Sequence, residues 1–150
     1  MLYCQPAQKE NYDSLIELWE RSVDATHDFL KHEHKQIIKT NLPTYFELVD
    51  VLIWYDSTEK IVGFSGTNEE HLEMLFLDPA FYRQGYGTEI LCSLAKKQVI
   101  LSVDVNKQNT QALHFYQKNG FEVIRESLID GQGYPYPILH MRKRSNYPPA

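Results

Sequence analysis

A pair of glycines between an apolar strand and a helix is the feature that most limits how this chain can fold. The run LDP, residues 77–79, ends an apolar segment, the run GYG occupies residues 85–87, and helical spacing follows. Glycines there remove side chains from the start of a helix, where free backbone amides and the helix dipole attract anions. A simple turn between strand and helix has the same pattern. The glycine pair is therefore consistent with both a simple turn and a phosphate-binding loop.

The spacing of apolar residues predicts helices in the first third of the chain. After a short strand at residues 2–6, the segment 11–25 has helical spacing, with Asn11 or Asp13 as its cap. The segment 26–49 is typical of one or two further helices, interrupted near Pro43 because a proline disfavours helix at the residue before it. The first helix should bury a face made of Leu15, Leu18, Trp19 and Ser22.

From residue 51 onward the chain is rich in strands. VLIWYD and KIVGFSG are β-branched and aromatic runs that predict a hairpin, and HLEMLFLD is a third, mainly apolar strand. Beyond the glycine pair come a helix, the strand VILSVDV, a second helix and two final strands separated by DGQG. The order β-α-α-β-β-β-α-β-α-β-β predicts a mixed sheet covered by about four helices, an α/β fold of the α+β type.

Length, charge and cysteine content limit the class of protein. The 150 residues suit one domain, residues 1–150, with a tail that frays from about residue 143 because of its paired prolines. A net charge of −5 without a basic run argues against a generic nucleic-acid-binding protein. Two distant cysteines and the absence of a signal-like or ~20-residue apolar segment predict a cytoplasmic protein without a membrane anchor.

Three phosphate-binding schemes compete for the glycine pair. A Walker loop needs a lysine before its Ser or Thr, and none precedes Thr88. The dinucleotide fingerprint needs glycine at position 90, where Ile90 stands, although Asp104 imitates the ribose-binding acid of that fold. Only one strand–helix–strand unit surrounds the loop, so a doubly wound sheet has no room. The dinucleotide scheme, which predicts binding of NAD, therefore stays as an alternative to the third scheme, described next.

That third scheme comes from a family resemblance. The segments LFLDPAFYRQGYGTEIL and NKQNTQALHFYQKNGF resemble the two signature segments of the GNAT superfamily of N-acetyltransferases. RSVDATHDFL and PYPILHM resemble the bacterial YjaB-type branch of that superfamily. One departure is that Tyr82 stands where the family has Arg or Gln, with Arg83 one place later. The matching residues are Leu77-x-Pro79, Gly85-x-Gly87, Asn109-x-x-Ala112-x-x-x-Tyr116 and Gly120-Phe121.

The resemblance implies a mostly antiparallel sheet, splayed at its centre between HLEMLFLD and VILSVDV, that takes acetyl-CoA as co-substrate. The strand edge at Leu75, Phe76 and Leu77 would pair with the pantetheine arm by β-addition, and Asn109 would hydrogen-bond the same arm. The pyrophosphate would be held by backbone amides of Arg83, Gln84, Gly85, Tyr86, Gly87 and Thr88. No metal is implied.

Acetyl transfer to an amine needs a base for the amine and an acid for the departing thiolate. Tyr116 suits the acid, since a phenol with a pKa near ~10 can protonate a thiolate, although its spacing also suits a core tyrosine. Glu73, on the strand before the loop, alternates with apolar residues and is expected to face the cleft. It and Asp104, at the end of the facing strand, are candidate bases, directly or through water. His71 is a third candidate and, on the face predicted for Glu73, a candidate acceptor contact. For Glu73 and Asp104 the alternative is a carboxylate that is only solvated or ion-paired and has no part in catalysis.

The acceptor site is implied in two segments. His27, Asp28 and Phe29 lie in SVDATHDF, where they would recognise a polar or cationic acceptor or simply cap a helix. Tyr134 and Tyr136, in GYPYP, would form a second wall or pack in the core. His32 and His34 do not predict a metal site, because residues two apart diverge on a helix.

The sequence therefore predicts an acetyl-CoA-dependent N-acetyltransferase acting on a primary amine of a small molecule or a protein. Direct transfer in a ternary complex is favoured because neither motif contains a cysteine to carry the acyl group. An acyltransferase that uses another acyl-CoA and a non-catalytic acyl-CoA-binding module are the alternatives. The acceptor's identity and the choice between monomer and homodimer are not encoded in these motifs.

Overall fold

The computed structural model describes residues 1–144 of the chain, which form both strands and helices. The strands are β1 (Tyr3–Pro6), β2 (Asp50–Tyr55), β3 (Ile61–Asn68), β4 (His71–Leu77), β5 (Ser102–Asn106), β6 (Phe121–Ser127) and β7 (Ile138–Lys143). The α-helices are α1 (Tyr12–Thr26), α2 (His32–Leu48), α3 (Tyr86–Lys97) and α4 (Thr110–Lys118), with short 3-10 helices at Lys9–Asn11 and Pro79–Phe81. The predicted order of elements is confirmed.

One seven-stranded sheet, in the order β1-β2-β3-β4-β5-β7-β6, organises the described residues. Adjacent strands in this sheet are antiparallel except for β4 and β5, which are parallel. That parallel ladder has only two residue pairs, His71 with Ser102 and Leu72 with Val103. Beyond Leu72 the two strands diverge. The prediction of a mixed, mostly antiparallel sheet that is splayed at its centre is therefore confirmed.

The two faces of the sheet are covered by different pairs of helices. On one face α1 and α2 pack against β2, β3 and β4, and the predicted face of α1, including Ser22, is buried. On the other face α3 and α4 pack over a core that crosses the splay. The side chains of this second core come from both halves of the sheet and include Trp54, Val62, Leu72, Val103, Val105 and Met141.

Helix α2 continues through Pro43, so the predicted interruption there is wrong. Pro43 has no N–H to donate to the carbonyl of Lys39 one turn earlier. Leu42 and Phe46 flank it and are buried to 3% and 2% exposure, so packing of this helical face offsets the lost bond.

The end of the described chain is still hydrogen-bonded. Lys143 and Arg144 donate backbone hydrogen bonds to Leu101 and Gly120. The rest of the tail predicted to fray lies outside the described residues. Within residues 1–144 no helix is long and apolar enough to cross a bilayer.

Candidate active site

An open cleft of about 960 Å³ begins where β4 and β5 diverge. Its walls are the C-terminal end of α1, the second half of β4, the loop that starts α3, and α4. Gln84 does not line it and instead donates a side-chain hydrogen bond to the carbonyl of Ala80 at 3.4 Å. The other predicted cofactor-binding residues all line the cleft: Leu75, Phe76, Leu77, Arg83, Gly85, Tyr86, Gly87, Thr88 and Asn109.

Gly85 is required by the backbone of the loop. Its φ is 80°, in the left-handed region, and Arg83 has a φ of 64°. A Cβ built on Gly85 meets nothing within 4 Å, so the space in front of it is open. The first backbone bond of α3 runs from the amide of Glu89 to the carbonyl of Gly85, at 3.1 Å. The amides that precede Glu89 in α3 therefore have no helical acceptor, an arrangement that suits an anion.

Gly87 is required for a different reason, close packing. A Cβ on this residue would lie 3.1 Å and 3.2 Å from Cε1 and Cζ of Phe115. The missing side chain lets the Phe115 ring of α4 sit against the first turn of α3. Gly85 therefore allows the left-handed conformation of the loop, and Gly87 allows α3 and α4 to pack closely.

The loop before α3 is fastened to α1. The carboxylate of Asp78 accepts hydrogen bonds from the amide of Ala80 at 3.1 Å and from the Arg21 guanidinium at 2.7 Å. The hydroxyl of Tyr82 lies 3.1 Å from Oγ of Ser22. Tyr82, which departs from the family pattern, therefore serves as an anchor between the loop and the first helix.

The second half of β4 presents one free backbone edge to the cleft. Leu75, Phe76 and Leu77 pair with β3 on one side, whereas the ladder to β5 ends at Leu72. An unpaired strand edge can accept an extended ligand as an additional strand. Asn109 begins α4, and its side-chain oxygen accepts a bond from the amide of Ala112 at 3.1 Å. Its amide group remains as the donor for a ligand.

Tyr116 is a core tyrosine whose hydroxyl reaches the cleft. The residue is 7% exposed, and its ring packs edge-on against Phe115 and Phe121. Among residues 1–144 the hydroxyl has no hydrogen-bond partner, yet no buried side-chain oxygen is unpaired, so this atom opens onto the cleft that Tyr116 lines. Burial raises the pKa of the phenol well above its usual value. The group stays protonated and can act as an acid.

Glu73 sits at an irregularity of β4 and is not part of the cleft lining. Thr67 pairs with Leu72 and Gly66 with Met74, which leaves Glu73 as the extra residue of a β-bulge. The bulge breaks the alternation that would aim this side chain into the cleft. Glu73 is exposed, and it is absent from the residues that line the cleft.

His71 and Asp104 are brought together, although neither lines the cleft. Nε2 of His71 lies 3.5 Å from Oδ2 of Asp104, and its Nδ1 lies 2.7 Å from Oγ of Ser102. A second imidazole, that of His140, places Nδ1 2.7 Å from Oδ1 of Asp104 and Nε2 2.7 Å from Oγ of Ser127. The hydrogen bond with His71 lowers the pKa of Asp104, and the same bond raises the pKa of His71.

His140 escaped the sequence analysis, although a signal was present. It alternates with the buried residues Leu139 and Met141 in the last strand, so it lies on the sheet face opposite theirs. Asp104 alternates in the same way with Val103 and Val105. Their meeting depends on the β5–β7 register, which pairs these two residues directly.

Tyr136 joins the α1–α2 loop to the β6–β7 loop. It is 5% exposed, and its hydroxyl accepts a bond from the amide of Lys31 at 3.0 Å. Nδ1 of His34 lies 2.6 Å from the same hydroxyl, and the His34 ring stacks on Tyr134 at 4.0 Å. The Phe29 ring lies 6.1 Å from the ring of Tyr136. These contacts hold the two predicted acceptor segments together.

Of the predicted acceptor contacts, His27 alone lines the cleft, whereas Asp28, Phe29, His71 and Tyr136 do not. Burial lowers the pKa of His27, and the neighbouring charge of Asp28 opposes that shift. Asp28 itself is exposed. Within residues 1–144 no group of three or more His, Cys, Asp or Glu side chains is arranged to hold a metal ion.

Comparisons with known proteins agree with this geometry. A family model described as an acetyltransferase (GNAT) domain matches residues 21–144. The peptidyl-lysine N-acetyltransferase YjaB of Salmonella typhimurium strain LT2 is 34% identical over 141 residues, which cover 94% of this chain and 97% of that protein. The solution structure of apo-form YjaB from Escherichia coli has a TM-score of 0.87 at 31% identity, covering 100% of this chain and 99% of that one. A PaiA N-acetyltransferase from Thermoplasma acidophilum, solved in complex with coenzyme A, shares the fold with a TM-score of 0.71 at 22% identity, covering 96% and 99%. The chain belongs to the GNAT family of N-acetyltransferases.

Proposed function

We propose that this enzyme transfers the acetyl group of acetyl-CoA to the side-chain amine of a peptidyl lysine, within a ternary complex. The observation that carries the proposal is one cleft lined by the left-handed loop at Gly85, the free edge of β4 and Tyr116. A lysine acceptor is favoured over a small amine because the relatives that cover most of the chain are named peptidyl-lysine N-acetyltransferases.

The loop at the start of α3 is suited to the pyrophosphate of coenzyme A. The chain carries a net charge of −5, so an anion has to be held by local groups rather than by the overall field. Backbone amides around Gly85, the dipole of α3 and the guanidinium of Arg83 supply those groups. The open space in front of Gly85 leaves room for phosphate oxygens.

The pantetheine arm is suited to the gap between β4 and β5. Its amides can pair with the backbone of Leu75, Phe76 and Leu77, which β5 leaves free on that side. The side-chain amide of Asn109, on the opposite wall, can donate to one of its carbonyls. The arm would then lead from the loop toward Tyr116 along one continuous wall.

Tyr116 is the proposed acid. As the amine nitrogen bonds to the acetyl carbon, the carbon–sulfur bond breaks, and the thiolate takes the phenolic proton. The raised pKa keeps that proton on the phenol at neutral pH. Glu73, Asp104 and His71, the bases predicted from the sequence, would have to act through water because none of them lines the cleft.

Calorimetric titration with acetyl-CoA, with NAD and ATP as controls, tests the cofactor. Micromolar binding of acetyl-CoA alone is expected, and a clear NAD signal without one from acetyl-CoA would refute the proposal. Thiol release with lysine peptides, small amines and propionyl-CoA then tests the reaction. Binding of acetyl-CoA without thiol release from any amine would identify a non-catalytic binding module instead.

A further inference from the structure

We propose that His27 is the proton acceptor for the amine in this cleft, with Nε2 as the accepting atom and Thr26 as the residue that fixes its tautomer. The proposal rests on the proposed acetyl transfer and deepens it by assigning the base. It is carried by the hydrogen bonds at the end of α1 and by the position of His27 in the cleft lining.

The hydrogen bonds determine which ring nitrogen carries the proton. Oγ1 of Thr26 lies 2.8 Å from the carbonyl oxygen of Ser22. A carbonyl cannot donate, so the single hydroxyl hydrogen of Thr26 lies between these two oxygens. The 2.7 Å contact of the same Oγ1 with Nδ1 of His27 then requires Nδ1–H as the donor. In a neutral imidazole this leaves Nε2 unprotonated, with its lone pair available.

Nε2 of His27 is not fully buried, although the imidazole as a whole is largely shielded from solvent. It has no hydrogen-bond partner in the described part of the chain, and no fully buried side-chain nitrogen there lacks a partner. The atom therefore keeps some exposure, and the residue to which it belongs lines the cleft. The Phe29 ring packs against the imidazole, with 5.1 Å between the ring centroids.

The surroundings of His27 keep the imidazole neutral near pH 7. Burial lowers its pKa from the usual value, and Asp28 opposes this by its charge. The other titratable or charged side chains that line the same cleft are Tyr82, Arg83, Tyr86, His114 and Tyr116. None of these is a carboxylate, so the cleft lining itself holds no anionic base among the described residues.

The other candidate bases are worse placed for direct proton transfer. Both ring nitrogens of His71 are engaged, one by Ser102 and one by Asp104. Asp104 is in turn shared with His140. Glu73 is exposed at the bulge and lies outside the cleft lining.

The proton balance is complete with these groups. An ammonium in the cleft gives one proton to Nε2 of His27, which releases it to solvent after the reaction. The resulting amine bonds to the acetyl carbon, and the carbon–sulfur bond breaks. The thiolate takes the proton of Tyr116, and the second amine proton restores the phenol. The products are the amide, the free thiol and one solvated proton.

The test is the pH profile of kcat/KM for a lysine peptide with the wild type and His27→Gln. The wild type should bind the ammonium and keep a plateau from about pH 6.5 up to the lysine pKa of about 10. His27→Gln can use only the unprotonated amine, so its kcat/KM should rise tenfold per pH unit. At pH 7 its kcat/KM should lie about 10²- to 10³-fold below that of the wild type. His32→Gln, at the exposed start of α2, should match the wild type.

Thr26 provides a second arm that does not depend on changing the histidine. Thr26→Val removes the hydroxyl that fixes the tautomer, and Thr26→Ser restores it. We expect the valine variant to lose part of the neutral-pH rate and the serine variant to keep it. If His27→Gln fails to fold by circular dichroism, this pair decides the question.

Two results would overturn the assignment of His27. One is a His27→Gln variant whose pH profile matches that of the wild type. The other is a Glu73→Gln variant whose kcat/KM rises tenfold per pH unit, as expected for loss of the base. Calorimetry separates these from failure of the proposed function. A wild-type protein that binds acetyl-CoA and turns over no amine at any pH would remove the transfer reaction and His27's role with it.

Discussion

Replacing Tyr116 by Phe should separate catalysis from stability, because its hydroxyl has no hydrogen-bond partner in the described part of the protein. Deleting a hydrogen-bonded hydroxyl leaves an unpaired partner and costs stability. Here no partner is left behind, and the ring keeps its packing against Phe115 and Phe121. We therefore expect the free energy of unfolding to change by less than about 1 kcal/mol.

The rate should respond very differently. Loss of a positioned acid typically lowers kcat by about 10²- to 10³-fold, equivalent to about 3–4 kcal/mol of transition-state stabilisation. Thiol release with a lysine peptide measures kcat, calorimetry measures the Kd for acetyl-CoA, and urea unfolding measures stability. Tyr3→Phe, on the edge strand β1, is the matched control for loss of a phenol. An unchanged kcat with unchanged acetyl-CoA binding would refute the assignment of the acid.

The pKa of Tyr116 supplies an independent check on its burial. Because the folded pKa is raised, the phenol ionises first in the unfolded chain, above about pH 10. Its contribution to stability is complete below that pH and is lost as the pH rises toward the folded pKa. The stability difference between wild type and Tyr116→Phe should stay flat up to about pH 10 and then turn against the wild type. A difference that stays flat to higher pH would mean that the phenol is solvated.

Three further changes have defined outcomes. Gly85→Ala forces a left-handed φ on a residue with a Cβ, costs about 1–2 kcal/mol, and should weaken acetyl-CoA binding in calorimetry by blocking the loop; unchanged affinity would exclude the loop from binding. Asp104→Asn should lose more stability in urea titrations at about pH 5.5 than at about pH 8.5. The Asp104 carboxylate stabilises the fold above its unfolded pKa, whereas protonated His71 stabilises it only until the pH passes the raised His71 pKa. An equal loss of stability at both pH values would contradict the pairing of the two residues. Tyr136→Phe removes the hydroxyl that joins the two loops proposed to bind the acceptor. KM for the peptide should therefore rise while acetyl-CoA binding stays the same, and a changed Kd for acetyl-CoA would refute that separation.

Local patterns were sufficient to predict the order of the elements and the glycine loop before α3. The buried face of α1 follows from the 3.6-residue period of Leu15, Leu18 and Trp19. The loop at Gly85 follows from a strand end, a glycine and a helix start that are adjacent in the chain. Features fixed within about fifteen residues can be predicted because the interactions that specify them lie in the same window.

Features that depend on strand pairing were not predictable in the same way. Glu73 leaves the expected alternation because β3 and β4 slip by one residue at the bulge. His140 reaches Asp104 because β7 lies beside β5, and that adjacency joins residues 36 positions apart. Helix α2 passes Pro43 because burial of Leu42 and Phe46 outweighs a local preference. In each case a long-range contact decides the outcome.

The short ladder between β4 and β5 has a consequence for how this enzyme can diverge. Two backbone pairs join the strands, and the core beneath, which includes Leu72 and Val103, keeps the two halves of the sheet together. The gap is lined by peptide groups, which are the same whatever side chains the strand carries. Mutational drift at Leu75 or Phe76 therefore changes the packing of the wall without erasing the pattern of donors and acceptors that a thioester arm would meet. Selection can reshape the α1–α2 and β6–β7 loops freely while this wall of the cleft persists through the geometry of the main chain.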